Sequence, residues 1–121
     1  MRIIVCGGRD FKDKEFLFSK LDTLAQDKTI TEVIHGDAYG ADSLAGEWAR
    51  ERGITETPFA ADWEKHGKAA GAIRNREMLQ LGPDAVVAFD GGNGTADMIR
   101  ITEKAGIPVI KFQKKVEELF E

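Results

Sequence analysis

The feature that most constrains the fold of this chain is a regular alternation between short apolar segments and longer amphipathic ones. The short segments are rich in β-branched residues, which is typical of buried strands; they cover residues 2–6, 31–35, 54–59, 84–89 and 109–112. Parallel strands need crossover connections long enough to hold a helix, and such crossovers are right-handed. The sequence therefore predicts an α/β fold of three layers, in which helices cover both faces of a parallel sheet of about five strands.

The segments between these strands carry apolar residues at the spacing of a helix that buries one face. Asp13 is expected to cap the first helix, because its carboxylate can accept a bond from a free amide of the first turn. Pro58 lacks an amide donor, which places the third strand at a sheet edge or puts Pro58 at that strand's end. Residues 60–68 are polar and are predicted to form a loop. Helices are predicted at residues 13–26, 69–81 and 95–104, with a short amphipathic one at 114–121. A further helix is predicted to carry Leu44, Ala45, Trp48 and Ala49 and to stop at Gly53.

The loops after the first, second and fourth strands are rich in glycine. In an open parallel sheet, ligands bind beyond the carboxyl ends of the strands, at the point where the strand order reverses. With the strand order 3-2-1-4-5, the first and fourth strands flank that point. Their loops are therefore predicted to converge on one crevice.

The loop after the fourth strand has three glycines within four residues, immediately before a helix begins. Amides in such a turn and in the first helical turn lack internal partners, and the helix dipole favours negative charge there. Glycine also lets the backbone approach a phosphate without a Cβ in the way. The pattern favours a phosphate site, and a tight connection between a strand and its helix is the alternative. The candidate residues are Gly91, Gly92, Asn93, Gly94 and Thr95.

The loop after the first strand offers a second set of phosphate ligands. Gly7 and Gly8 supply backbone donors, and the planar guanidinium of Arg9 can bind a phosphate through two parallel bonds. The alternative is a solvated turn in which Arg9 pairs with Asp10.

The loop after the second strand places Gly36, Asp37 and Asp42 among the candidate ligand-binding residues. Asp42 could instead favour the N-terminal end of the following helix, and His35 could be a satisfied histidine at a strand end. Acids at this spacing can hold Mg²⁺ together with phosphates. The spacing is not diagnostic, so Mg²⁺ bound with a nucleotide is an open cofactor and no metal site is predicted.

A polar segment and the helix after it complete the candidate ligand-binding set with Asp62, Trp63, Arg74 and Asn75. Trp63 could stack on a base or a ribose, and anchoring in the core is the alternative. Arg74 and Arg76 flank Asn75, and consecutive helix positions diverge by about 100°. One of the two arginines is therefore expected to face the crevice, with surface salt bridges as the alternative.

Composition bounds the class of protein. The chain has 121 residues and a net charge of −4, which argues against a broad nucleic-acid-binding face. Its lone cysteine, Cys6, cannot form an internal disulfide, so a cytoplasmic location is expected. No apolar segment approaches the roughly 20 residues that span a bilayer, so no membrane partner is predicted.

The candidate residues also form motifs that follow one another along nearly the whole chain, at 7–11, 35–42, 61–63, 70–78 and 91–95. This ordered set resembles the SLOG superfamily of Rossmann-like proteins, which includes DprA and the LOG cytokinin-activating enzymes. It is most similar to the YspA-like branch, a domain of unknown function found in bacteria and phages. The resemblance implies a Rossmann-like sheet, one domain over residues 1–121 and a pocket for a nucleotide or an ADP-ribose-type derivative.

LOG enzymes cleave a nucleoside monophosphate into base and ribose phosphate, using an arginine in an Arg-Lys-x-x-Met helix and a glutamate in Pro-Gly-Gly-x-Gly-Thr-x-x-Glu. Arg74 followed by Met78 matches the first motif. The second motif departs from the pattern, because Asp90 replaces the proline and Met98 stands at the glutamate position. A methionine cannot stabilise an oxocarbenium-like centre, which argues against LOG-type hydrolysis and leaves phosphate binding untouched.

The sequence thus predicts a protein that binds a nucleotide or nucleotide-derived small molecule, as a sensor or nucleotide-processing component. One alternative is a nucleotide N-glycosidase of LOG type, in which Asp37, Asp42 or Asp97 replaces the missing glutamate; the catalytic candidates are Arg74 and Asp37. The other is a DprA-like DNA-binding protein, against which the acidic balance counts. A homodimer is an open oligomeric state, since relatives of this fold commonly dimerise.

Overall fold

The computed structural model describes residues 1–113, so the helix predicted at 114–121 lies outside the described residues. Strands and helices alternate along the described chain, as the sequence predicts. A short 3₁₀ turn at Gly67–Ala69 joins the third helix to the fourth. The elements are β1 (Arg2–Cys6), α1 (Lys14–Asp27), β2 (Glu32–His35), α2 (Ala41–Glu51), β3 (Thr55–Pro58), α3 (Trp63–His66), α4 (Ala70–Gln80), β4 (Ala85–Phe89), α5 (Asn93–Lys104) and β5 (Val109–Phe112).

The five strands form one parallel sheet in the order β3-β2-β1-β4-β5, which confirms the predicted fold class and strand order. At the centre, Ile4 of β1 lies opposite both Ile34 of β2 and Val86 of β4. The third strand lies at an edge and ends at Pro58, as its missing amide donor predicts. The reversal in strand order falls between β1 and β4, as expected.

Alternate residues of each central strand feed two apolar cores, one on each face of the sheet. Ile3 and Val5 pack on the face covered by α1 and α2, with Leu17. Ile4 and Cys6 pack on the opposite face, among buried side chains of α4 and α5. Since both faces are covered, all five residues of β4 are buried and apolar. Each fully buried aliphatic side chain contributes about 1.5–3 kcal/mol, so the two cores hold the strand ends in fixed register.

The start of α5 and the structure of residues 60–68 differ from the sequence predictions. Helix α5 begins at Asn93 with Gly92 as its N-cap, two residues before the expected start at Thr95. Glycine costs least in the first turn, where the amides have no intrahelical partner to lose. Residues 60–68, predicted to be a loop, contain the short helix α3, because the Asp62 carboxylate accepts a bond from the Lys65 amide at 3.0 Å.

The Asp13 prediction is confirmed, since its side chain accepts a bond from the Phe16 amide at 3.1 Å at the start of α1. Among the helices of residues 1–113, none is both long and apolar enough to cross a membrane.

Candidate functional site

A cleft of about 730 Å³ lies beyond the carboxyl ends of β1, β2 and β4. The loops that line it are tied to one another by backbone bonds. The Gly8 amide donates to the Asp90 carbonyl at 2.8 Å, which joins the loops after β1 and β4. The Gly8 carbonyl accepts from the Ala41 amide at 3.1 Å, which joins the start of α2 to the same loop. The convergence of these loops follows from the strand order, as the sequence predicts.

Several glycines of these loops are required by close packing. A Cβ on Gly7 would lie 2.6 Å from the Ala41 Cβ, and one on Gly91 would lie 2.7 Å from the Gly8 nitrogen. Gly40 has a φ of 78° and its Cβ would collide with the Gly8 carbonyl oxygen. Such positions exclude any side chain, whatever the cleft binds.

Gly92 and Gly94, unlike the glycines above, are not required by close packing. Both are exposed and line the cleft, and a Cβ built on either one has no heavy atom within 4 Å. Neither has a positive φ, so neither lies in the left-handed region that favours glycine. Packing against other segments therefore does not explain their missing side chains.

These two glycines stand at the start of α5, where backbone amides are open to the cleft. Gly92 is the N-cap and has no side chain to accept a bond, and the first helical bond runs from the Ala96 amide to the Gly92 carbonyl at 3.0 Å. The amides of residues 93–95 precede that bond, and the helix dipole adds positive potential at this end. The arrangement suits an anion.

Arg74 brings a guanidinium to the floor of the same cleft. It is half-buried on α4, its Nη1 donates to the Gly36 carbonyl at 2.5 Å, and its Nε donates to the Asn75 Oδ1 at 3.1 Å. Burial lowers the pKa of Arg74, and the nearby Asp42 carboxylate opposes that shift. An arginine stays charged at neutral pH even so.

Asn75 is buried and connects α4 to the glycine turn. Its Nδ2 donates to the Gly94 carbonyl at 3.2 Å and to the Asp97 Oδ2 at 3.1 Å. The other oxygen of Asp97 accepts from Arg100 at 2.9 Å. Asp97 is thus engaged at both oxygens, so the structure gives it a structural role rather than that of a free acid.

Asp42 is the acid that reaches the main cleft beside Arg74. Its side chain is buried and accepts from the Ala38 amide at 3.3 Å. Burial raises the pKa of Asp42, while the bond from Ala38 and the nearby His35 and Arg74 oppose that rise. A Cβ on Gly36 would lie 2.9 Å from the Asp42 Oδ2 and would collide with the Arg74 guanidinium, so this glycine is needed to bring both charged groups to the cleft floor.

His35 is held by bonds to both ring nitrogens, in line with the satisfied-histidine alternative. Its Nδ1 accepts from the Asp37 amide at 3.0 Å, which leaves Nε2 to donate to the Glu56 Oε2 at 2.7 Å. Burial opposes ionisation of Glu56, but the bonds from His35 and Arg50 outweigh it and lower the Glu56 pKa.

The remaining candidates divide between two clefts. Trp63 is half-exposed and lines the main cleft, with the Arg9 guanidinium 5.5 Å from its ring centroid. Asp37 has a φ of 56° and lines a second cleft instead. Asp62 lines neither cleft, since its carboxylate caps α3. The other candidates line the main cleft: Gly7, Gly8, Arg9, Gly36, Asp42, Arg74, Asn75, Gly91, Gly92, Asn93, Gly94 and Thr95.

Lys12 and Tyr39 are among the cleft residues that the sequence reasoning did not select. Lys12 lines the main cleft, and the signal for it was a second cation three residues after Arg9. Tyr39 lines the second cleft, and the signal was a large aromatic residue between two glycines.

Met98, at the position of the LOG glutamate, is 1% exposed and packs in the core beneath α4 and α5. No acid enters the cleft from that position. Within residues 1–113, no group of three or more His, Cys, Asp or Glu residues is placed to hold a metal ion.

Comparison with known proteins agrees with this fold and these loops. The Gene 61 protein of Mycobacterium phage D29 is 43% identical to this chain over 122 residues, which cover 94% of this chain and 98% of that protein. The X-ray structure of TM1055, a structural genomics target, matches with a TM-score of 0.70 at 22% identity, over 89% of this chain and 71% of that one. That likeness shows a common fold. The model of the YAcAr family, described as the YspA, cpYpsA-related SLOG family, matches residues 1–66. With its parallel Rossmann-like sheet and glycine loops, the chain belongs to this YspA-related SLOG family.

Proposed function

We propose that the protein binds a nucleotide or nucleotide-derived ligand, of the nucleoside phosphate or ADP-ribose and NAD type, as a sensor or nucleotide-processing component. The observation that carries this proposal is the pair of open glycines, Gly92 and Gly94, at the uncapped start of α5. Packing does not require a glycine at either position. A phosphate that bonds to the backbone amides would require one, because a side chain would block its approach.

The charges around the cleft support an anionic ligand. Arg9, Lys12 and Arg74 all line it, and the start of α5 adds positive potential. Four acids, Asp10, Asp13, Asp42 and Asp90, also line the cleft, so an anion would be held by the positions of the cations and the amides rather than by a net positive charge. A guanidinium suits a phosphate because two of its N–H groups can bind two phosphate oxygens.

Binding is tested directly by thermal stabilisation and calorimetry across AMP, ADP, ATP, ADP-ribose, NAD, and cyclic and dinucleotide signals. A ligand at about 100 times its Kd adds about 2.7 kcal/mol of stability, which shifts the melting temperature by several degrees. Gly94→Val is expected to remove the shift, because its side chain fills the open space over the amides. Ala96→Val is the matched control, because it adds a β-branched side chain to the same helix outside the cleft.

Tryptophan fluorescence gives an independent readout. The chain has two tryptophans; Trp48 is fully buried, whereas Trp63 is 50% exposed beside the cleft. A bound base should therefore quench Trp63, and Trp63→Phe should abolish the signal. If no panel member binds, or if Gly94→Val binds as tightly as the native chain, the proposal is wrong.

A second candidate function is hydrolysis of a nucleotide N-glycosidic bond, with Arg74 and an aspartate as the catalytic groups. Asp42 favours it, because this buried carboxyl lies at the cleft floor beside Arg74. Asp42 would give a proton to the base as the C1′–N bond breaks, and the resulting carboxylate would take a proton from the water that adds to C1′ of the ribose. Asp37, the acid selected from sequence, is exposed and lines the second cleft instead.

Chromatography of the protein incubated with AMP separates binding from cleavage. Release of adenine and ribose 5-phosphate that Asp42→Asn abolishes and Asp37→Asn leaves in place would support hydrolysis through Asp42. Bound but intact AMP would leave the binding function alone.

A further inference from the structure

A second cleft, of about 470 Å³, adjoins the first. The two clefts share Arg9, Gly36, Ala38 and Trp63 as lining residues. Each cleft alone lies within the volume range of about 300–1,000 Å³ that is usual for small-molecule sites. Together they offer more room than one nucleoside phosphate needs.

The walls of the second cleft are aromatic and small apolar side chains. Tyr39 is 81% exposed and Trp63 is 50% exposed, and they stand with Ala60 and Ala61 around the space. Large aromatic rings exposed in a cleft provide flat surfaces on which a nucleobase can stack. Within residues 1–113, the Tyr39 side chain makes no hydrogen bond that would hold it in the loop between β2 and α2.

The charges of the second cleft differ from those of the first. Arg9 stands at the boundary between them, with its guanidinium over the Trp63 ring. Beyond that boundary the one other ionisable lining side chain with charge at neutral pH is Asp37, a carboxylate. A carboxylate repels a phosphate but accepts bonds from ribose hydroxyls. The second cleft, with its aromatic walls, therefore suits an uncharged ring and sugar, and the first, with the uncapped start of α5 and three cations, suits phosphates.

We propose that the second cleft holds the second nucleoside of a two-ended ligand, such as a dinucleotide whose pyrophosphate lies at the glycine loops and passes Arg9. This inference rests on the proposed function, because it takes the glycine loops as the phosphate site. It narrows the ligand class from nucleotides in general to dinucleoside pyrophosphates.

The test compares the nucleoside diphosphate that binds best with its dinucleoside pyrophosphate, for example ADP with diadenosine pyrophosphate, by calorimetry. The two-ended compound is expected to bind about tenfold or more tightly, which is within the range of one stacked base. Tyr39→Ala is expected to remove that advantage and to leave ADP affinity unchanged. Tyr39→Phe keeps the ring and should keep the advantage.

Leu81→Ala is the matched control, since Leu81 is another exposed apolar residue and lies near the amino ends of the strands, beside Arg2 at the start of β1 and away from the clefts. Equal affinity for the two compounds would overturn the inference and leave the proposed function standing. Equal weakening of both by Tyr39→Ala would also overturn it, because the second cleft would then be the only nucleoside site. Failure of every phosphate compound to bind would overturn both proposals.

Discussion

Helices α1 and α5 both begin beside the main cleft, and their first turns are built in opposite ways. At the start of α1 the Asp13 carboxylate accepts the Phe16 amide, so a side chain of the protein occupies that end. At the start of α5 the N-cap is Gly92, which offers no side chain, and the first turn contains Gly94. The first arrangement stabilises the fold. The second leaves its amides for something else to bind.

The two helix starts can be told apart by the stability that is lost when the N-cap residue is replaced. A large loss indicates a cap that stabilises the helix, and no loss leaves ligand binding as the reason for the residue. A carboxylate cap cannot be removed without exposing amides. At Gly92, by contrast, an added Cβ would meet no heavy atom within 4 Å outside its chain neighbours. An N-cap position that could hold a stabilising side chain but has glycine is therefore a stronger indication of a binding site than a position that is already capped.

The largest expected effect is a loss of stability at Met98, which lies on the buried face of α5, one turn after its uncapped start. Met98→Glu should destabilise the protein by about 3 kcal/mol or more, because it places an unpaired carboxylate in the core. Urea denaturation measures the loss, and Met98→Leu should cost less than about 1.5 kcal/mol. A folded, stable Met98→Glu protein that cleaves AMP would mean that this position faces the ligand after all.

The next largest effect is expected when the start of α5 is given an aspartate N-cap like that of α1. Gly92→Asp should weaken nucleotide binding at least about tenfold, since its carboxylate competes for the amides and repels a phosphate. Its stability should rise by a few tenths of a kcal/mol, which is about the gain of such a cap over glycine. Gly92→Ser caps without charge and should weaken binding less; calorimetry and thermal melts on both variants give the two numbers. Unchanged affinity in Gly92→Asp would remove this turn from the site.

The smallest effect is expected from removing the aspartate N-cap at the start of α1. Asp13→Ala should lower the free energy of unfolding by about 1 kcal/mol, because the Phe16 amide loses its acceptor. Equilibrium urea denaturation resolves a change of this size when m is unaltered. Asp13→Asn, which retains an oxygen acceptor, should recover most of the loss. No change in Asp13→Ala would show that the cap is not what stabilises this helix start.

Much of the fold was predictable from the sequence because it depends on local patterns that agree with one another. The apolar runs and the Pro58 signal predicted the strands, and the glycine loops, taken with the strand order 3-2-1-4-5, predicted the place of the cleft. The start of α5 was placed too late, since Gly92 as an open cap and glycine as a loop residue give the same sequence pattern. Asp62 was taken for a ligand-binding residue because a capping carboxylate and a site carboxylate also look alike.

What the sequence did not reveal depends on contacts between distant segments. Asn75 is buried because Gly94 and Asp97, about twenty residues away, accept its bonds. The division of the acids into a main cleft with Asp42 and a second cleft with Asp37 depends on how the loop after β2 folds back. No periodicity in the chain encodes either fact.

The bonds that tie Gly8 to the loops on both sides have a kinetic consequence. Because the loops after β1 and β4 and the start of α2 are already joined, a ligand entering the cleft does not have to order them first, and the conformational entropy lost on binding is small. Association should then proceed at a similar rate for related ligands. Differences in affinity among them should appear in how long each one stays bound.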